Sequence, residues 1–146
     1  MTRSKRFSAL VALAKQRLLV LDGAMGTQIQ DLKLDEDGYR GSRFADWSQS
    51  IKGNNDILNL SAPDAVRAIH TAYFEAGADV VETNTFSATT IAQADYGMED
   101  IAAEIAHDGA RLAREAADDF EKRTGTPRGV AGAIGPTNKT LSISPD

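Results

Sequence analysis

Two carboxylates stand at the ends of predicted strands, where each could wall a small-molecule pocket. Asp22 closes the apolar run Leu18-Leu19-Val20-Leu21 and opens into Gly23-Ala24-Met25-Gly26-Thr27. Glu82 follows Val80-Val81 and leads into Thr83-Asn84-Thr85. A carboxylate that ends a buried apolar run must be paired or hydrogen-bonded, because an isolated buried charge is costly. Glycines beside it let the backbone come close to a ligand and aim N–H groups at an anion. Together these features suggest a small-molecule pocket with one acidic wall and one wall of backbone amides. The Asp22 stretch also has a plainer reading, an acidic residue capping a strand-to-helix turn, and the stretch alone does not separate the two.

Other chemistries find less support. There is no cysteine, hence no disulfide, thiolate metal site or thiol nucleophile in this sequence. His70 and His107 are the only imidazoles, each alone on a predicted helix with no second ligand at metal-binding spacing, so both read as structural. Gly23 and Gly26 follow G-x-x-G, which matches neither the dinucleotide fingerprint nor a phosphate-binding loop. A net charge of −5 and a pI near 5.0 oppose a nucleic-acid or anionic-membrane surface. Trp47 could stack on a ligand, but a lone tryptophan in a long connection more often pins that connection.

The elements that must position these groups follow from periodicity. Residues 17–21 read as a short strand buried on both faces. Before it, basic residues 3–6 precede an apolar run in which Ala12-Leu13-Ala14 resembles a signal-peptidase site. The run is too short to carry its own cleavage site, so residues 1–16 are expected to form an amphipathic helical extension, with Phe7, Leu10, Val11, Ala14 and Leu18 on one side. No stretch is long enough for a membrane span, and a cytoplasmic address is expected. A helix can begin at Thr27, and the segment 35–55 loses periodicity but carries Tyr39, Phe44, Trp47 and Ile51, which suggests a packed excursion. Ser61-Ala62-Pro63-Asp64 predicts a helix with Ser61 as its N-cap, stopped at Gly77. Residues 78–85 give a second strand, 86–96 a loop and short helix ended by Gly97, and 99–123 a long helix ended by Gly125. Residues 128–134 give a thin third strand, followed by Gly135-Pro136-Thr137-Asn138.

The order strand, helix, strand, helices, strand is that of a parallel α/β sheet. All three strands deliver polar groups at their carboxyl ends. That is the active face of a (β/α)8 barrel or the crevice of an open doubly wound sheet. Three strands leave two openings: a small open sheet, or the front part of a larger domain.

Four motifs in order sharpen this. Leu21-Asp22-Gly23-Ala24-Met25-Gly26-Thr27, Asn55-Asp56-Ile57-Leu58-Asn59-Leu60 with Ser61-Ala62-Pro63, residues 76–86 (AGADVVETNTF) and Gly132-Ala133-Ile134-Gly135-Pro136-Thr137 resemble the homocysteine S-methyltransferase family, most nearly its cobalamin-dependent branch. The likeness runs from about Arg17 to the last residue. It implies that residues 17–146 are the amino-terminal portion, about three βα units, of a (β/α)8 TIM barrel that binds homocysteine. The site residues it implies are Asp22, Gly23, Ala24, Met25, Gly26, Glu82, Thr83, Asn84 and Thr137. Asp22 and Glu82 would accept from the ammonium, and N–H groups near Gly23–Gly26 and Thr137 would face the carboxylate. In the family, zinc is held by three cysteines on late barrel strands, and a methyl group arrives from methylcobalamin loaded by methyltetrahydrofolate. The resemblance therefore places zinc, cobalamin, the rest of the barrel and the folate and cobalamin domains with the full-length enzyme. This chain alone is expected to bind neither cofactor and to be inactive. Alternatives are a betaine- or S-methylmethionine-dependent member of the family, or a non-catalytic small-molecule module on an open sheet. Unpaired strand edges would make the isolated chain self-associate or remain loosely packed, unless the 35–55 excursion covers the open side.

Overall fold

The computed structural model describes residues 2–137. Asn138 and residues 141–146, which enter the sequence reading, lie outside them. Helix α1 (Arg3–Ala14) starts at Thr2, whose side chain accepts from the Lys5 N–H. It is followed by α2 (Met25–Asp31), α3 (Glu36–Arg40), a 3-10 turn at Asn55–Ile57 running into α4 (Leu58–Ser61), and α5 (Pro63–Glu75). Strand β1 (Val80–Glu82) leads through α6 (Thr90–Gln93) and two further 3-10 turns to the long helix α7 (Ala102–Thr124) and strand β2 (Gly129–Ala131).

The sheet is parallel, with Val80, Val81 and Glu82 in register with Gly129, Val130 and Ala131. On the other edge of β1, Leu21 forms a parallel bridge to Val80, the Asp79 and Val80 N–H groups donate to the Val20 carbonyl, and the Asp22 N–H donates to the Val80 carbonyl. Three chain segments thus run side by side in the predicted order, and their carboxyl ends point the same way.

Two apolar clusters hold this arrangement. Phe74 of α5 and Ala113, Ala116, Ala117 and Phe120 of α7 close on Val81, with Val130 against their margin. Helical spacing puts these α7 residues on one face, and the alanines let the helix lie close to the strands. The second cluster unites Ile57, Leu58, Val66, Ile69, Ile105 and Leu112 with Tyr39, Phe44 and Ile51 from the 35–55 excursion. Glu36 pins that excursion by accepting from Ser50 Oγ and the Ile51 and Lys52 N–H groups, and these bonds hold its carboxyl down at about 2. Trp47 packs edge-on to Phe44 and donates to the Tyr96 carbonyl at 3.0 Å, so it pins its loop.

Three expectations are corrected, and the two histidines can be placed. Residues 17–21 are not a strand buried on both faces: backbone pairing exists only on the β1 side, and Leu18 is 89% exposed because no described element packs over it. The α1 helix forms, but Phe7 and Val11 face outward; it is held instead by Arg6, which pairs with Asp118 and Glu121 of α7, and by Leu10 packed at Gly129. Ser61 is the last residue of α4 rather than an N-cap, and its hydroxyl donates back to the Ile57 carbonyl, while Pro63 opens α5. His70 is wholly buried with no partner at either ring nitrogen, and burial alone lowers its pKa to about 4. His107 lies exposed beside Asp108.

Among the described residues no helix is long and apolar enough to cross a membrane.

Candidate functional site

The site grows from the carboxyl ends of the first two segments. Because Asp22 N–H is tied to the Val80 carbonyl, the Asp22 side chain falls beside the end of β1, and its Oδ1 accepts the Glu82 N–H at 2.9 Å. Burial raises the Asp22 pKa, the Glu82 N–H opposes that rise, and the charge of the neighbouring Glu82 carboxylate adds to it. Two carboxylates held this close are most stable with a cation between them.

Beyond Asp22 the chain turns into α2. The left-handed residue of that turn is Ala24 (φ 36°, ψ 44°), not either glycine. A non-glycine residue there costs about 1–2 kcal/mol, and such strain gathers at ligand sites. The N–H groups of Gly23 through Gly26 have no protein acceptor among the described residues.

These groups open on one cavity of about 430 Å³. Asp22, Gly23, Ala24, Met25, Gly26, Glu82, Thr83 and Asn84 all line it. Thr137 is exposed and is not part of this wall. Thr83 and Asn84 are committed to protein contacts. Thr83 Oγ1 accepts the Ala133 N–H and bonds Thr85 Oγ1, which in turn donates to the Ala133 carbonyl. Asn84 Nδ2 donates to the Asn55 carbonyl and to Asn59 Oδ1, while Asn59 Nδ2 donates to the carbonyls of Asn84 and Ile105. Both residues therefore build the wall that holds Glu82 in place.

Sequence reasoning missed one side of the cavity. Gly53, Asn54, Asn55 and Asp56 line it as well, as do Asp95 and Tyr96. Asp56 is buried and accepts the Ser87 N–H, and loss of solvent raises its carboxyl to about 6 against the opposing effect of that bond. A run of polar residues just before a short helix was the available signal, but apolar periodicity is blind to a buried polar turn. The described lining carries four carboxylates, Asp22, Asp56, Glu82 and Asp95, and no lysine, arginine or histidine. No group of three or more His, Cys, Asp or Glu side chains among the described residues is placed to hold a metal ion.

Comparison with known proteins gives the same direction. The profile described as homocysteine S-methyltransferase matches residues 19–146. Two solved structures of the homocysteine methyltransferase MmuM from Escherichia coli are similar. The oxidised form has a TM-score of 0.68 and 25% identity over 90% of this chain. The metallated form has a TM-score of 0.68 and 23% identity over 88% of it. In each case the match covers 41% of the other chain, so this chain spans about two fifths of the length of those enzymes.

Proposed function

The chain belongs to the homocysteine S-methyltransferase family, and from that premise we infer that its carboxylate-walled cavity is the amino-acid grip of a homocysteine site. The observation that carries this is the joint placement of Asp22 and Glu82 on one cavity, with Asp22 Oδ1 already on the Glu82 N–H. In this reading the substrate ammonium lies between the two carboxylates, and its carboxylate faces the unbonded N–H groups of Gly23–Gly26. Thr83 and Asn84 act by holding the end of β1. Residues 17–146 would form the front of a (β/α)8 barrel, with residues 1–16 as a helical extension against it.

The finer reading is that the full-length protein is a cytoplasmic methionine synthase, with methylcobalamin as methyl donor, reloaded from 5-methyltetrahydrofolate. Its support is the family likeness of Asn54 to Leu60 and of Thr85-Phe86. One similar enzyme has been solved in a metallated form. The described residues of this chain do not fit a zinc ion, for want of cysteine and of any suitable His or carboxylate cluster. The roles assigned to this chain therefore stop at binding and orienting the amino acid.

Calorimetric titration of the full-length protein with homocysteine tests the grip. Asp22→Asn and Glu82→Gln should each weaken binding by about 1.5–3 kcal/mol, the scale of a hydrogen bond to a charged group. Affinity unchanged by both substitutions would place the ammonium elsewhere. A folate or cobalamin domain encoded downstream of codon 146 would support the finer reading, and a stop codon there would remove it.

A further inference from the structure

We propose that Asp56 is a third acceptor for the substrate ammonium and the residue by which this cavity selects ligands with a free α-amino group. The proposal rests on the homocysteine-site reading and gives a role to a residue that lies in a family-like motif but is not among the site residues the resemblance implied.

Asp56 is 3% exposed and lines the cavity. Its Oδ2 accepts the Ser87 N–H. The other oxygen has no partner among the described residues, yet it is not among the sealed, unpartnered buried atoms, so it meets open space. No cationic side chain stands on the described cavity wall to compensate it. A buried carboxylate supported by one N–H and no counter-charge is destabilising unless something else supplies the charge.

The position is rigid. Asn55, the preceding residue, lies against the glycine turn, its Nδ2 3.8 Å from where a Cβ on Gly26 would sit. Asn54 and Gln93 bond each other through both amides, and Gln93 Nε2 also donates to the Ser87 carbonyl. Asp56 is thus fixed on the wall of the same cavity as Asp22 and Glu82. An ammonium has three N–H donors, while Asp22 has one oxygen already on the Glu82 N–H. A third carboxylate gives the remaining donor an acceptor.

The competing role is a clamp on Ser87. A clamp needs only a neutral acceptor, which asparagine provides without the cost of a buried charge. Burial has raised the Asp56 carboxyl to about 6, and no basic group counters it, as fits a site that awaits a cation.

Asp56→Asn separates the two roles, since its amide oxygen can still accept the Ser87 N–H. Binding of homocysteine and of its deamino analogue 4-mercaptobutanoate is measured by calorimetry on the full-length protein. The expected result is a loss of roughly tenfold or more for homocysteine, the scale of a charged hydrogen bond, with the analogue changed less than about twofold. Equal losses for both ligands would show a clamp, and no loss for either would show no role; both overturn the proposal. Where Asp56→Asn does not fold, Asp56→Ser, a smaller neutral acceptor, is read by the same ratio. Failure of the parent protein to bind homocysteine would instead overturn the site reading itself, and this proposal with it.

Discussion

Arg17 and Asp79 are joined through both nitrogens of the guanidinium, Nη1 to Oδ2 and Nη2 to Oδ1, at 2.7 Å each. Asp79 Oδ2 also accepts the Val20 N–H, and Arg128 stands 3.5 Å from Oδ1. The Asp79 side chain is 1% exposed, and the Arg17 bonds hold its pKa below the usual carboxylate range. One carboxylate thereby fastens the segment before Asp22 to the start of β1 and touches the residue before β2.

Asp79→Ala should therefore cost about 1.5–3 kcal/mol of stability, the scale of hydrogen bonds to a charged group whose partner Arg17 is half exposed, and it should loosen the Asp22 end of the site. Because the folded pKa is depressed, this stabilisation is present above the unfolded value near 3.8 and fades as pH falls through the folded one. Urea denaturation of parent and variant at neutral pH checks the loss. A difference under about 1 kcal/mol, the range of a surface pair, would show that the pair is ornamental.

His70 and Asp56 should oppose each other in acid. His70 titrates near 4 folded and 6.5 unfolded, so its contribution to stability falls as pH drops from 6.5 to 4. Asp56 titrates near 6 folded and 3.8 unfolded, so its contribution falls as pH rises over that window. Each spans about 3 kcal/mol at full extent, and the two nearly cancel between. Relative to the parent, His70→Leu should gain stability as pH drops from 6.5 to 4, and Asp56→Asn should lose it from 6 to 3.8. Denaturation curves for both variants that run parallel to the parent across this range would refute the pairing.

Gly109→Ala should destabilise although alanine favours a helix by about 1 kcal/mol. An added Cβ would lie 2.6 Å from Asn59 Nδ2 and from Thr85 Cγ2, and 3.1 Å from the Asn84 carbonyl. Room could come only by displacing Asn59 from the carbonyls it bridges. The net loss should be about 2 kcal/mol, as overpacking and broken buried hydrogen bonds outweigh the propensity gain. Thermal melts give the sign directly, and an increase in Tm would be the contrary result.

The isolated chain should self-associate. The 35–55 excursion buries Tyr39, Phe44 and Ile51 in the helical core, which leaves Leu18, Val20 and Leu21 exposed. Exposed apolar residues beside an unfilled strand edge invite pairing between copies. Sedimentation should show mass rising with concentration, and Leu18→Lys with Val20→Lys should suppress it. A monomer of 15.6 kDa at every concentration would contradict this.

The sequence was most legible where a single local rule applies. The long helix ends at Gly125, which takes the left-handed conformation (φ 71°) that only glycine adopts freely. Parallel order followed from alternating strands and helices, and Asp22 and Glu82 stood out because each interrupts an apolar run. What escaped detection depends on contacts distant in sequence. The exposure of Leu18 and the burial of His70 are set by what packs against them, which neither residue's neighbours encode. Ser61 and Ala24 show the local version of this limit: a good capping residue ended a helix, and a turn placed its strain on alanine beside two available glycines.

Trp47 is the only tryptophan in the chain, and its indole N–H is bonded to the carbonyl of Tyr96, a residue of the cavity wall. Its emission therefore comes from one fluorophore attached to the site at one remove. A ligand that shifts the Tyr96 backbone would change the polarity at the indole nitrogen and move the emission maximum. The protein thus carries its own optical reporter, through which occupancy of the cavity could be followed in real time without a label.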